Sequence, residues 1–144
     1  MSVFLRACVL TIAALLSPAA GSAGGPDAIV GTWLTEEGDS NVAITAGAGG
    51  GYAGKVVWLK EPSRDGKPVH DANNGDPALR DRPVLGLEIL SGFTATGDGA
   101  WAGGMVYSPR AGKSYPAELS LTADGRLQLR VKAGLVSRAI FWTH

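Results

Sequence analysis

Short runs in which apolar and polar side chains alternate fill the chain from Asp27 onward, and glycine-containing turns separate them. The run at residues 114–121 shows this best, because Ala117 and Leu119 alternate with Glu118 and Ser120. Such alternation is typical of a strand with one buried and one solvated face. The pattern predicts eight strands, at residues 29–35, 41–45, 52–59, 85–94, 101–107, 114–121, 126–132 and 137–142.

Eight short antiparallel strands can form a closed up-and-down barrel or a two-sheet sandwich. The short links between consecutive strands favour the barrel, which also removes exposed sheet edges. We therefore expect an all-β, eight-stranded antiparallel up-and-down barrel with a long charged loop between the third and fourth predicted strands. The interior of such a barrel holds side chains or one small ligand. On the third strand, Tyr52, Gly54, Val56 and Trp58 are expected to share one face.

The first residues of the chain resemble a secretory signal peptide. Arg6 precedes an apolar run at residues 7–16, Pro18 ends that run, and small residues allow cleavage after Ala23, with Ala20 as the alternative. The run has about half of the roughly 20 apolar residues that a membrane span needs. We expect residues 1–23 to be removed and residues 24–144 to form a single exported domain, periplasmic or secreted, with no membrane span.

Charge and composition exclude several classes of function. The 144 residues carry 13 Lys and Arg against 13 Asp and Glu, which argues against nucleic-acid binding. The single cysteine, Cys8, lies in the predicted signal, so the exported domain has neither disulfides nor thiolate ligands. With two histidines, His70 on a surface loop and a mobile terminal His144, a zinc site lacks ligands. No metal and no cofactor are expected.

Three segments resemble a family of exported bacterial proteins, the domain of unknown function family 2147. They are the opening Gly-Thr-Trp-Leu-Thr at 31–35, the loop sequence DANNGDPALRDRPVLGL at 71–87, and WAGGMVYSPRAGKSY at 101–115. The chain departs from the family pattern at Gly75, where proline is common, and at residues 130–134. The resemblance implies a compact lipocalin-like β domain outside the cytoplasm and implies no biochemical activity.

Gly31 and Trp33 also resemble the first-strand motif of lipocalins. In such barrels the tryptophan closes one end, and an arginine from the last strand stacks on it. Arg138 is the candidate for this cation–π contact. The alternative is that Trp33 is an ordinary core residue.

The segment at residues 60–82 is a long connection without predicted structure, and it holds five Lys and Arg and five Asp and Glu. One interpretation is a loop that caps a barrel end through internal salt bridges, with Arg80 and Arg82 on Asp71 or its neighbours. The other is that Arg80 or Arg82, with Asp71 and Asn74, binds a carboxylate or phosphate at the barrel mouth. A calcium loop from Asp71 to Asp76 fits poorly, because the closing glutamate is missing.

Aromatic residues and glycines on the predicted strands leave a second choice open. Trp58, Tyr107 and Tyr115 either fill the core or line a ligand pocket with Lys113 at its lip. Paired glycines inside a strand mark a bulge or a close approach of another chain segment. The glycines with an expected structural role are Gly31, Gly86, Gly103 and Gly104.

The function that these observations favour is non-enzymatic binding of a small amphipathic or anionic ligand. The alternative is an envelope protein-interaction module, an inhibitor or assembly factor, that uses residues 60–83. A hydrolase is disfavoured because the sequence offers no nucleophile–base pair such as a Gly-x-Ser-x-Gly elbow. The protein partner stays unknown at this level.

Overall fold

The computed structural model describes residues 25–144, so the predicted signal peptide lies outside the described residues. The fold is all-β, as predicted. Its strands are β1 (Gly31–Leu34), β2 (Ser40–Ala46), β3 (Tyr52–Leu59), β4 (Ser63–Arg64), β5 (Lys67–Pro68), β6 (Glu88–Gly97), β7 (Ala100–Ser108), β8 (Lys113–Leu121), β9 (Leu127–Ala133) and β10 (Val136–Trp142). Two short 3₁₀ helices span Pro26–Ile29 and Pro77–Leu79. Within residues 25–144, no helix has the length and apolar character to cross a membrane.

Eight of these strands form one antiparallel sheet in the order β1-β2-β3-β6-β7-β8-β9-β10, and β4 and β5 pair as a separate hairpin. The sheet curls until its two outer strands meet. There, the backbone N–H of Leu34 donates to the carbonyl of Thr143 (2.6 Å), and the N–H of Thr143 donates back (3.0 Å). The predicted eight-stranded antiparallel architecture is therefore confirmed, with strand positions correct to within a few residues.

Because consecutive strands are antiparallel, their connections alternate between the two ends of the curled sheet. The β3–β6, β7–β8 and β9–β10 connections share one end, here called the loop end. The Pro26–Ile29 helix precedes β1 and lies at the other end. Three aromatic side chains hold this helix: Trp33 Nε1 donates to the Ile29 carbonyl (2.9 Å), Trp101 Nε1 to the Pro26 carbonyl (2.9 Å) and Tyr52 Oη to Asp27 (2.6 Å).

Large apolar side chains fill the inner face of the sheet, and each stabilises the fold by about 2 kcal/mol. The fully buried ones are Trp33, Trp101, Phe93, Ile29, Ile44, Leu90, Leu119, Leu127, Leu129 and Val42. The glycine pair on β7 makes room for one of them. Gly103 has φ +79° beside a register shift, and a Cβ at Gly104 would lie 2.5 Å from the ring of Phe93. Of the two alternatives for this pair, the bulge is confirmed; the close neighbour of Gly104 is a side chain and not a backbone segment.

Trp58 does not share the inner face with Tyr52, Gly54 and Val56, so that prediction is wrong. The β2–β3 register shifts between Asn41, opposite Trp58, and the next residue, opposite Val56. This bulge moves the alternation by one position, so Trp58 is 43% exposed.

Candidate functional site

The connection between β3 and β6, for which no strand or helix was predicted, contains the β4–β5 hairpin, the Pro77–Leu79 helix and a paired segment. Its two arms pair at the isolated bridge between His70 and Pro83. Backbone N–H groups extend the pairing on both sides, from Val84 to the Val69 carbonyl (3.0 Å) and from Asp71 to the carbonyl of residue 82 (2.9 Å). The connection is therefore an ordered part of the domain, and His70 lies exposed on it as predicted.

Asp71 lies at the centre of this connection and has no exposed surface. Its carboxylate accepts hydrogen bonds from Tyr107 Oη (2.5 Å), Asn74 Nδ2 (2.9 Å) and Arg82 Nε (2.9 Å). Asn74 Nδ2 also lies 3.1 Å from Tyr107 Oη. The structure thus brings together four of the predicted site residues: Asp71, Asn74, Arg82 and Tyr107. We call this set the Asp71 cluster.

The Asp71 carboxylate is held in its ionised form. Burial by itself raises its pKa, but the hydrogen bonds from Asn74, Tyr107 and Arg82 outweigh burial, so the pKa lies below its ordinary value. The salt-bridge interpretation of the loop holds for the Arg82–Asp71 pair. Because both carboxylate oxygens accept from these donors, the hydrogen bonds of the Asp71 cluster hold the loop against β7.

The charge of Asp71 also shifts the pKa values of Tyr107 and Arg82. Burial and the neighbouring Asp71 carboxylate raise the pKa of the Tyr107 hydroxyl, and Arg82 opposes them. Burial lowers the pKa of Arg82, but its bond to Asp71 more than compensates and raises it. The guanidinium carbon of Arg82 lies 5.3 Å from the centre of the Tyr107 ring, and 35% of the side chain remains exposed. Arg82 is therefore fixed on one side and open to solvent on the other.

A second contact holds the loop against the β7–β8 turn. Asn73 Nδ2 donates to the carbonyl of Arg110 (3.0 Å). Gly112 has φ +68°, and a Cβ there would overlap the carbonyl of Asn73. Gly112 is required both for its backbone conformation and for the close approach of the loop.

Tyr107 and Tyr115 lie on opposite faces of the sheet, which contradicts the alternative of a pocket lined by both. Tyr115 is the register partner of Val106, and both share the inner face with the pair Gly104 and Ala117. Alternation places Tyr107 on the outer face, where the loop covers it. Lys113 is exposed at the start of β8.

An open cleft of about 420 Å³ lies beside the Asp71 cluster. Its lining residues are Lys55, Arg82, Pro83, Leu85, Gly86, Leu87 and Glu88. Lys55 and Glu88 are partners across β3 and β6, and Lys55 follows the buried Gly54, so the cleft is on the outer face of the sheet. Gly86, with φ +88°, donates its N–H to the Val56 carbonyl (2.7 Å) and so fixes the cleft floor to β3.

Two predicted arginine roles differ from the structure. Arg80 Nε donates to the backbone carbonyl of Asn74 (2.8 Å), and Arg80 is absent from the cleft lining. Arg138 is exposed and does not stack on Trp33, so that prediction is wrong. The ring beside Trp33 is that of His144, with centroids 3.8 Å apart, and its Nδ1 lies 3.2 Å from the Thr32 carbonyl. The same contacts place the terminal His144 against β1, and its mobility stays a prediction.

The chain is similar to known proteins both in its family and in its fold. A family model described as "Uncharacterized protein conserved in bacteria (DUF2147)" matches residues 31–144. The chain belongs to DUF2147. A search of curated proteins gives no match. A solved structure described as "Protein HP1028 from the human pathogen Helicobacter pylori belongs to the lipocalin family" is similar, with TM-score 0.69 and 23% identity over 81% of this chain and 82% of that chain. At this identity the likeness shows a lipocalin-like fold.

Sequence reasoning missed five residues of the cleft in this DUF2147 chain: Lys55, Pro83, Leu85, Leu87 and Glu88. All but Pro83 lie on predicted strands, where charged residues are expected to face solvent and leucines to face the core, so nothing in the local pattern marked them as parts of a site. The proximity of Lys55 to Arg82 arises because the loop returns along β3, and no local pattern contains that return. Within residues 25–144, no cluster of three His, Cys, Asp or Glu is placed to hold a metal.

Proposed function

We propose that this DUF2147 chain is an exported, non-enzymatic binding protein for a small amphipathic anion, and that the ligand lies in the outer cleft. The observation that carries the proposal is the cleft itself: about 420 Å³, with two cationic side chains, Lys55 and Arg82, beside the apolar Leu85 and Leu87. Small-molecule sites commonly occupy about 300–1,000 Å³ and combine apolar walls with a few placed polar groups.

The chemistry of the lining supports an anion with an apolar tail. The lining carries two cations, Lys55 and Arg82, and one carboxylate, Glu88; because Asp71 already pairs with Arg82, the attraction for an anion comes from Lys55 and from the solvent-exposed part of Arg82. Arg82 is pre-oriented by Asp71, which reduces the entropy lost when its outer edge binds a carboxylate or phosphate. Leu85 is 50% exposed, so covering it with an apolar chain stabilises a complex.

Native mass spectrometry of the purified mature protein, together with titration by decanoate, tests this proposal. We expect decanoate to bind more tightly than decanol, because only decanoate has the charge that Lys55 and Arg82 neutralise. Lys55→Gln should weaken decanoate binding about tenfold, or ~1.4 kcal/mol. Lys55 is the residue to change because it lies outside the Asp71 cluster.

Lys67→Gln, on the exposed β4–β5 hairpin, is the matched control and should leave decanoate binding unchanged. Equal affinity of Lys55→Gln and the parent protein would remove the cleft from the site. Absence of both a co-purifying small molecule and decanoate binding would reject the proposed function. A protein-interaction role for residues 60–83 stays a prediction.

A further inference from the structure

The β9–β10 hairpin projects beyond the rest of the sheet at the loop end. Every residue from 132 to 139 is exposed, which includes side chains of both faces. Leu135 at the turn is fully exposed, and the adjacent Val136 is 68% exposed. β10 extends beyond β1, the strand beside it. β1 ends at Leu34, and Leu34 pairs with Thr143, at the end of β10 that is remote from the hairpin turn.

One edge of this projecting strand carries unused backbone groups. Thr143 N–H donates to Leu34 (3.0 Å), and Phe141 N–H approaches Glu36 Oε1 (3.4 Å) on that same edge. Backbone N–H direction repeats every two residues in a strand, so the N–H groups of Ala139 and Ser137 face the same way. In the part of the chain that the structure describes, neither has a hydrogen-bond partner on that side. An exposed edge of this kind is a template for another strand.

The hairpin and the residues beside it carry basic side chains and no acidic ones. Residues 125–144 contain four Lys and Arg and no Asp or Glu. Lys132 pairs with Glu118 (3.3 Å) and Arg126 with Asp124 (2.9 Å), but Arg138 has no ion pair within the described residues. Arg138 shares its face of β10 with Val136, beside the free edge.

We propose that the free edge of β10 binds an extended acidic segment of a partner protein by strand addition. The partner's backbone would bond to Ser137 and Ala139, and its acidic side chains would lie on the face of Arg138. A second copy of this chain is disfavoured, because pairing two such hairpins places like charges together. A lipid surface is disfavoured because it presents no extended backbone whose carbonyl groups match the spacing of the Ser137 and Ala139 N–H groups. The proposal is independent of ligand binding in the outer cleft.

The probe for this proposal is a seven-residue acetylated and amidated peptide of alternating glutamate and valine, with a lysine-for-glutamate version as its charge control. We expect the acidic peptide to bind, and to slow hydrogen exchange at the amides of Ser137 and Ala139. Ala139→Pro, which removes one edge donor, should weaken binding about tenfold. Ala139→Ser keeps the donor and should bind like the parent protein. Arg138→Gln should weaken acidic-peptide binding and reduce its sensitivity to salt.

The proposal is wrong if the peptide does not bind, if protection appears elsewhere than at these two amides, or if the lysine peptide binds equally well. It is also overturned if the protein dimerises through β10, or if vesicles containing phosphatidylglycerol bind it with the same affinity after Ala139→Pro. Should Ala139→Pro fail to fold, the exchange measurement on the parent protein decides the question alone.

Discussion

At the scale of single residues, Asp71 has the largest structural role outside the apolar core. Its buried carboxylate joins the loop, through Asn74 and Arg82, to β7, through Tyr107. A buried carboxylate without partners is strongly destabilising, so each donor is needed to keep the others in place.

Replacing Asp71 by asparagine is therefore expected to destabilise the fold. The carboxylate accepts through two oxygens, whereas the asparagine side chain accepts through one oxygen and its NH₂ group only donates. At least one of the three donors therefore loses its partner. We expect a loss of about 2 kcal/mol in the free energy of unfolding, measured by urea denaturation; the solvent that reaches Arg82 keeps the value moderate. Asp81→Asn, at an exposed position of the same loop, is the control. Equal stabilities of the two variants would contradict the role of Asp71.

The lowered pKa of Asp71 also predicts a pH dependence. Because the unfolded chain takes up this proton at a higher pH than the folded chain, the contribution of Asp71 is complete above about pH 5 and is lost as the pH falls below about 4. The parent protein should therefore lose more stability than Asp71→Asn does as the pH is lowered from about 5 to below about 4. Parallel curves for the two proteins in urea titrations at each pH would show that Asp71 titrates normally.

At the scale of elements, the β7–β8 turn determines where the charged loop lies. Gly112 and Gly134 both occupy tight turns with positive φ, +68° and +64°, but only Gly112 has a close neighbour, the Asn73 carbonyl. The two glycines therefore separate the cost of backbone conformation from the cost of steric overlap.

Gly112→Ala should release the loop, whereas Gly134→Ala should not. Both substitutions incur about 1–2 kcal/mol for a left-handed alanine, and Gly112→Ala adds overlap with Asn73, worth about 1–3 kcal/mol. Limited trypsin digestion after Arg80 should become faster in Gly112→Ala alone. Similar digestion of the two variants would mean that this contact does not hold the loop.

The elements could be predicted from the sequence because alternation is a local property of each strand. It predicted all eight sheet strands and failed at Trp58, where a bulge shifts the faces without any local sign in the apolar pattern. The Asp71 cluster was predicted only in part. Arg82 could be paired with Asp71 by charge, but Tyr107 is 36 positions from Asp71, and only the tertiary fold brings the two together.

At the scale of the whole molecule, large apolar side chains cover the inner face of the curled sheet, and its two candidate binding surfaces lie outside. The cleft uses the outer face near Lys55, and the projecting hairpin uses the edge near Ala139. Few backbone hydrogen bonds join the two outer strands of the sheet. Among the described residues, β1 and β10 exchange two, between Leu34 and Thr143.

Removing Thr143 and His144 should therefore separate β1 from β10. The deletion loses two backbone hydrogen bonds, at about 1 kcal/mol each, and the ring contact on Trp33, at about 1 kcal/mol. We expect a loss of about 3 kcal/mol by urea denaturation and a red-shifted tryptophan emission as water reaches Trp33. His144→Ala, which keeps the backbone bonds, should lose about a third as much. An unchanged emission spectrum in the deletion variant would show that other contacts hold β1 against β10.

The helix at Pro26–Ile29 has a practical consequence for studies at surfaces. Trp33, Tyr52 and Trp101 secure it at the end of the sheet remote from the charged loop. A biotin or affinity handle attached ahead of Gly25 would therefore leave the molecule on the far side from both the cleft and the tip at Leu135. Protein immobilised by its amino end would present both surfaces to the solution, whereas a carboxy-terminal handle would pull on the strand that completes the sheet.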